Sequence, residues 1–222
     1  MQVLDLFPAY DDRRTFSENF AFGRGTEKWV GGLLNRQGCS VMETGQIVPK
    51  TVVGGPTIAA PMRNILVTDL FVWRGALARW IEVKHKTCFA WNRNNKRWVT
   101  GIDLHLYRHY QDIENNSPWP VWLFFQHDGG YAKGSGFRHS PFGLFADSLQ
   151  HLMANEFQQS DLWGPSGMVY WEIESLEPFD EQAHESLRRF NLGRYKAPAP
   201  VALPEQPQYE PQSLAFEVPD AG

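Results

Sequence analysis

Two apolar segments near the middle of the chain carry charge where apolar residues are expected. Residues 64–73 read Asn-Ile-Leu-Val-Thr-Asp-Leu-Phe-Val-Trp, and residues 80–84 read Trp-Ile-Glu-Val-Lys. Their β-branched and aromatic content marks strands over 64–73 and 79–84. The short link Arg74-Gly75-Ala76-Leu77 between them predicts an antiparallel hairpin. Asp69, Glu82 and Lys84 therefore fall within half-buried or fully buried strands. Burying a carboxylate or an ammonium costs several kcal/mol, on the order of a whole domain's stability, unless the group is paired or binds a metal. That demand restricts the fold to one that brings these charges to a common place.

Strand geometry brings two of them together. Alternate side chains share a face, so Trp80, Glu82 and Lys84 point one way and Ile81 and Val83 the other. Glu82 and Lys84 then sit about 7 Å apart along the strand, close enough to address one small site. The hairpin carries Asp69 to the same neighbourhood. Mg²⁺ typically takes one or two carboxylates, several waters and substrate phosphate. Asp69 and Glu82 fit that need, and the backbone carbonyl of Val83 adds a further oxygen. Lys84 beside such a cation would orient or help deprotonate an attacking water, or stabilise charge on a phosphate. The constellation suits hydrolysis of phosphodiesters.

Glu27 extends it. A helix is expected over residues 17–37, stopped by Gly38, with Trp29, Val30, Leu33 and Leu34 as its apolar stripe. Glu27 precedes Val30 and Leu34 by three and seven positions, so it lies on the stripe that faces the core. A carboxylate there suits a third acidic group at a metal site. Gly31 and Gly32 inside the helix imply a close packing contact.

Charge is unevenly spread. The chain as a whole carries a formal net charge of −4, but residues 74–108 hold eight Lys/Arg against two Asp/Glu. Residues 172–222 reverse this, with four Lys/Arg against ten Asp/Glu. A basic middle beside the carboxylates suits a polyanion. Within it Lys86, Arg93, Lys96 and Arg97 are interleaved with Phe89, Trp91 and Trp98, which predicts a basic hairpin tip. Cations there would position phosphates, and the aromatics would stack on exposed bases or fill the core.

Further elements complete the outline. Residues 39–44 read as a first strand, 45–61 as a Gly, Pro and Thr-rich loop, and 103–116 as a helix capped by Asp103. The continuous apolar run over 120–126 marks a central, doubly covered strand. Residues 127–137 read as a glycine-rich mobile loop beginning at His127-Asp128, 142–157 as a helix, and 167–173 as a last strand. His85 follows Lys84, faces away and reads as structural. The order helix, strand, strand, strand, helix, strand predicts an α/β core with a mixed sheet and helices on both faces. Residues 1–16 form an N-terminal extension and 17–196 the domain. Residues 197–222 form an acidic tail with six of the fifteen prolines and no Lys or Arg, expected to be disordered.

Cys39 and Cys88 lie far apart and form no CxxC, which argues for two reduced thiols. The first residues lack a basic region followed by a long apolar run, and no apolar stretch approaches the ~20 residues of a membrane span. A soluble cytoplasmic protein is expected.

The pattern Gly25-Thr26-Glu27 to Gly38 on a helix, then Thr68-Asp69, then Ile81-Glu82-Val83-Lys84, resembles the PD-(D/E)XK nuclease superfamily, with Thr68 in place of the motif's usual proline. The resemblance covers roughly residues 17–126 and is greatest to phage-type or Holliday-junction-resolvase-like members. It implies a restriction-endonuclease-like αβββαβ core, a mixed central sheet flanked by helices. It implies catalytic roles for Glu27, Asp69, Glu82 and Lys84, with Mg²⁺ or Mn²⁺ bound by the acids. It also implies a polar or aromatic residue from the following helix near the site, for which Tyr107 and Gln111 are candidates. The expected activity is metal-dependent endonucleolytic cleavage of DNA, structure-selective or nonspecific, by a homodimer or with a partner. A noncatalytic nucleic-acid- or protein-binding module on the same fold and an RNA nuclease are the alternatives.

Overall fold

The computed structural model describes residues 16–44, 57–59, 64–132, 139–161 and 166–192, with backbone alone for 16–22, 57–59 and 64–66. The expected N-terminal extension, almost all of the loop over 45–61 and the tail over 197–222 lie outside the described residues, as do positions 133–138 of the glycine-rich segment.

Helix α1 (Phe16–Arg36) is the first described element, followed by strand β1 (Ser40–Glu43). The stop at Gly38 is as the sequence predicts. Gly38 adopts φ +83°, its N–H donates to the Asn35 carbonyl at 2.9 Å, and the Cys39 N–H reaches back to the Leu34 carbonyl at 3.1 Å. This is the paired C-terminal arrangement that a glycine without a Cβ makes cheap. A Cβ at Gly31 would stand 3.4 Å from Val41, so the helix lies close on β1.

Among the described residues, strands β2 (Thr57–Ala59) and β3 (Asn64–Leu66) pair with each other and with no other strand. β4 (Leu70–Arg74) and β5 (Leu77–Lys86) form the expected hairpin across Gly75-Ala76. The single strand expected over 64–73 is therefore two strands. The break at residues 67–69 bends the chain out of one sheet and into another, and Asp69 sits at the bend. β6 (Ala90–Asn92) and β7 (Arg97–Asp103) form the basic hairpin, and α2 (Leu104–Asn116) follows directly. Asp103 occupies the position before α2, but its side chain makes no capping hydrogen bond.

β8 (Val121–Asp128) is the central strand, parallel to β5. It absorbs His127 and Asp128, which the sequence reading placed in a mobile loop. β9 (Phe142–Ser148) runs antiparallel to it and leads into α3 (Leu149–Ala154). The helix expected over 142–157 is thus a strand for its first half. Its buried run from Gly143 to Asp147 fits either period, and pairing along β8 decides for the strand. β10 (Gln158–Ser160), β11 (Met168–Glu172), a 3₁₀ turn over Ile173–Ser175, β12 (Glu177–Pro178) and α4 (Glu181–Arg189) complete the described chain. α4 lies against Gly143, where a Cβ would stand 2.2 Å from the Ala183 backbone nitrogen, so only glycine permits that approach.

The main sheet is mixed, six strands in the order β1-β4-β5-β8-β9-β12. A second sheet, β10-β11-β7-β6, is antiparallel throughout. Within the main sheet, α1, β1, β4, β5, α2 and β8 supply the predicted αβββαβ order, with helices on both faces. α1 covers Leu70, Val72, Ile81, Val83 and Phe124 through Val30 and Leu34. α2 and the second sheet cover the other face, where Trp80, Leu123 and Phe125 join Tyr107, Tyr110, Ile113 and Trp171 in the larger core. Both cysteines are free thiols. No helix among the described residues is long and apolar enough to cross a membrane.

Candidate active site

The β4–β5 register sets the site. Leu70 lies opposite Ile81, and one step further brings Asp69 to the level of Glu82. The bend that ends β3 turns Asp69 inward: its Oδ2 accepts the Val83 N–H at 2.9 Å, and its carbonyl accepts the Thr44 N–H at 2.9 Å. Thr68, in the place of the motif's proline, is buried and donates to the Leu70 carbonyl at 3.2 Å. It stabilises the bend and leaves the neighbouring carboxylate in position.

Glu82 is buried between β5 and α2, where the Lys84 ammonium and the Tyr110 hydroxyl both donate to its carboxylate. Lys84 also stands 5.9 Å above the Tyr110 ring, within cation–π range. Glu27 approaches from α1, its Oε2 held by Arg24 at 2.7 Å. Arg24 also reaches Glu43 on β1, at 3.5 Å. The structure thus brings Asp69, Glu82 and Lys84 together across the β4–β5 register, with Glu27 on α1 near enough to feel the Glu82 and Lys84 charges.

That influence has a definite sense. Burial, then the Glu82 charge, push the Asp69 carboxyl up to about 8, against the pull of Lys84. Burial likewise raises Glu27, with Arg24 opposing and Glu82 adding. Burial works to lower Lys84, but Glu82 and then Asp69 outweigh it and its pKa is raised. Burial and the nearby Glu82 carboxylate raise Tyr110 well above the usual phenol value. Three carboxylates share this end of the sheet with Lys84 and Arg24, and Arg24 is divided between Glu27 and Glu43. Negative charge exceeds positive, and the excess falls on Asp69.

Among the described residues, no group of three or more His, Cys, Asp or Glu side chains stands in metal-binding array. In this arrangement the chain's own cations lie on the carboxylates, Lys84 on Glu82 and Arg24 on Glu27. The donor set nevertheless fits a hard divalent cation. Asp69 and Glu82 offer carboxylate oxygens, Val83 follows Glu82 on β5 with a further backbone carbonyl, and a buried surplus of acid is what such a cation would neutralise.

The other predicted residues separate into two groups. Lys86 shares the Glu82–Lys84 face of β5, and burial followed by the Lys84 charge lowers its pKa. Arg93 and Lys96 are exposed at the β6–β7 turn, while Arg97 is paired with Glu174 at 3.2 Å and Glu172 at 3.8 Å. Phe89 and Trp98 are buried in the larger core, which removes them as base-stacking surfaces. Tyr107 is not at the carboxylates. It packs on Trp171 and its hydroxyl is engaged by Glu156 and Gln111. Burial, then that hydrogen bond, push its pKa beyond the usual phenol range. Tyr107 and Gln111 do share a face of α2, but Tyr110 is the residue of this helix that meets Glu82. Leu104, Tyr107, Tyr110 and Ile113 form one buried stripe, and spacing alone does not tell which tyrosine faces which sheet. Arg24 was also unforeseen; its only signal was its place three residues before Glu27.

No protein-family model matches the chain, and no curated protein matches it. Among solved structures, it is similar to Hjc, a Holliday junction resolvase from the archaeal hyperthermophile Archaeoglobus fulgidus. That likeness is at 9% identity over 74% of this chain and 99% of the resolvase, with a TM-score of 0.42. It is also similar to a nuclease from a fusselovirus, at 10% identity over 82% of this chain and 97% of that one, with a TM-score of 0.37.

Proposed function

We propose that this protein is a metal-dependent nuclease of the PD-(D/E)XK kind, hydrolysing phosphodiester bonds in DNA by structure or without sequence preference. The observation that carries the reading is the buried convergence of Asp69, Glu82 and Lys84 across the β4–β5 register, with Glu27 within electrostatic reach. So much buried like charge is expensive, and a phosphate-cutting site is a physical reason to keep it.

Asp69 and Glu82, with the Val83 carbonyl, would hold Mg²⁺ or Mn²⁺. When bound, the cation supplies charge neutralisation on the scissile phosphate and lowers the pKa of a water. The chain's own groups do the rest. Lys84 places a fixed positive charge beside the reacting phosphate, which is worth most where charge develops. The Tyr110 hydroxyl holds the Glu82 carboxylate in one orientation, as outer hydrogen bonds commonly do for metal-ligating acids. The Val83 N–H does the same for Asp69. Lys86 follows Lys84 on the same face and would contact the neighbouring phosphate. Arg93 and Lys96 would bind the flanking backbone.

A second reading has one observation in its favour. The direct ion pair between Lys84 and Glu82 satisfies both groups without a metal, as in a noncatalytic binding module on the same fold. Incubation with supercoiled plasmid, branched DNA and RNA under Mg²⁺, Mn²⁺ and EDTA separates these readings. Metal-dependent DNA cleavage that disappears in a folded Lys84→Ala variant supports the nuclease. Binding without cleavage under every metal supports the module, and cleavage confined to RNA changes the substrate class.

A further inference from the structure

His85 joins three elements at the end of the sheet where the acids meet. Its Nε2 stands 2.7 Å from Asp128 Oδ1 on β8, and its Nδ1 stands 2.7 Å from Thr26 Oγ1 on α1. All three side chains are largely buried, Thr26 at 7% exposure and His85 and Asp128 at 12% and 15% for their side chains. A carboxylate oxygen accepts, so Nε2 donates to Asp128, and Nδ1 shares a hydrogen bond with the Thr26 hydroxyl. The chain Thr26–His85–Asp128 thus links α1, β5 and β8 through directed hydrogen bonds.

Its place gives it a consequence. Thr26 directly precedes Glu27, and His85 directly follows Lys84. Elsewhere α1 meets β5 through apolar contacts, Val30 and Leu34 on Ile81 and Val83. Apolar contact is non-directional and does little to fix how far a helix slides along the sheet. Hydrogen bonds are directional, and two of 2.7 Å through one imidazole fix that position. A misplacement of about 1 Å in a catalytic constellation costs on the order of 10²-fold.

We propose that His85 is a positioning residue, and that the Thr26–His85–Asp128 chain sets Glu27 on α1 against Glu82 and Lys84 on β5. The inference rests on the nuclease reading for the value of that placement, and the geometry itself is independent of it.

The test is a double-mutant cycle on cleavage and on the Mn²⁺-induced shift in melting temperature. The proteins are the full-length wild type, His85→Ala, Glu27→Gln and the double variant. His85→Ala is expected to lose roughly 10- to 100-fold in cleavage and in apparent Mn²⁺ affinity. The double variant is expected to lose no more than Glu27→Gln alone, because His85 acts through Glu27. Thr26→Val keeps the bulk and removes the hydroxyl, and should show a smaller loss in the same sense at near-wild-type melting temperature. If cleavage by Glu27→Gln is too slow to measure, the Mn²⁺ shift completes the cycle. Wild-type behaviour of His85→Ala, or losses that multiply in the double variant, overturn the inference. A wild type that cuts no substrate under any divalent metal instead defeats the nuclease reading. The two failures are therefore distinct.

Discussion

The two faces of β5 differ in kind although they belong to one strand. Toward α1 it presents Ile81 and Val83, which close an apolar cluster with Val30, Leu34, Leu70, Val72 and Phe124. Toward α2 it presents Trp80, Glu82, Lys84 and Lys86, an aromatic followed by three charges. The first face is apolar packing, joined at its end by the His85 hydrogen bonds to Thr26 and Asp128. The second carries a charge cluster at one end and belongs at the other to the larger, aromatic-rich core. The difference separates what stabilises the molecule from what destabilises it. Apolar burial on both faces holds the sheet, and the acids at its end are tolerated because the surrounding core over-determines their positions.

Neutralising an acid on the charged face should have the largest effect. Asp69→Asn keeps the shape and an oxygen for the Val83 N–H, but removes charge from an overcrowded site. Cleavage should fall by at least about 10³-fold, as expected when a metal ligand is lost, while the metal-free protein melts at a higher temperature at alkaline pH, where the wild-type carboxyl is charged. The pH dependence gives the sign independently. The Asp69 carboxyl is raised from 3.8 to about 8 in the folded chain. The folded state therefore holds this proton more tightly than the unfolded state. Its contribution to stability is complete below about 4 and is lost as pH rises toward about 8. Metal-free wild type should lose melting temperature across that window, Asp69→Asn should show a flatter profile, and Mg²⁺ or Mn²⁺ should restore the wild type at the alkaline end. A wild-type melting temperature that rises from pH 5 to pH 8 without metal would count against the buried acid surplus.

The apolar face should answer in the opposite way. Leu34 lies two helical turns from Glu27 and is buried in the α1 cluster. Leu34→Ala leaves a cavity and should cost about 2–5 kcal/mol by denaturant unfolding, with cleavage per folded molecule little changed. The pair Leu34→Ala and Asp69→Asn thus separates stability from activity in both directions. Loss of cleavage in Leu34→Ala at a temperature where it is fully folded would show that the faces are not separable.

Much of this division is legible in the sequence. Strand alternation alone assigned Glu82 and Lys84 to one face and Ile81 and Val83 to the other, because the side-chain period of a strand is two. The helical stripe through Glu27, Val30 and Leu34 followed from the 3.6 period in the same way. The failures lie where periodicity stops being informative. The bend at residues 67–69 interrupts a run whose composition is uniformly strand-forming. The segment 142–157 has apolar spacing that serves a strand and a helix alike. Spacing does not distinguish Tyr110 from Tyr107, because both lie on the buried stripe of α2, and only tertiary packing divides that stripe between two sheets. His85 reads as structural in the sequence because it faces away from Glu82. Its link to Asp128 depends on the parallel pairing of β5 with β8, a long-range register that no local spacing encodes.

Tyr110 offers a smaller test of how the charged face is organised. Tyr110→Phe keeps the ring over Lys84 and removes only the hydroxyl that donates to Glu82. A hydrogen bond to a charged group contributes about 1.5–3 kcal/mol. Cleavage should therefore fall by roughly tenfold or somewhat more, with the ring's packing and the fold retained. Tyr107→Phe, which loses a hydroxyl bonded to Glu156, should leave cleavage nearly unchanged and shift only stability. Equal losses in the two variants would erase the distinction between the tyrosines.

The smallest effect concerns the basic turn between β6 and β7, the one predicted DNA contact region that stands clear of both cores. The Asn92 side chain accepts the N–H groups of Asn94 and Asn95, each at 3.1 Å, and so shapes the tip. Lys96 closes it with φ +55°, a conformation that glycine adopts without strain. Lys96→Gly therefore removes one cation while relieving the backbone, and any loss of binding cannot be charged to unfolding. If the turn lies on the DNA backbone, the slope of log affinity against log salt should fall by about 1, with the rate of cleavage at saturating DNA unchanged. An unchanged slope would place the DNA path elsewhere and leave Lys86, on the charged face of β5 itself, as the nearest phosphate contact beyond Lys84.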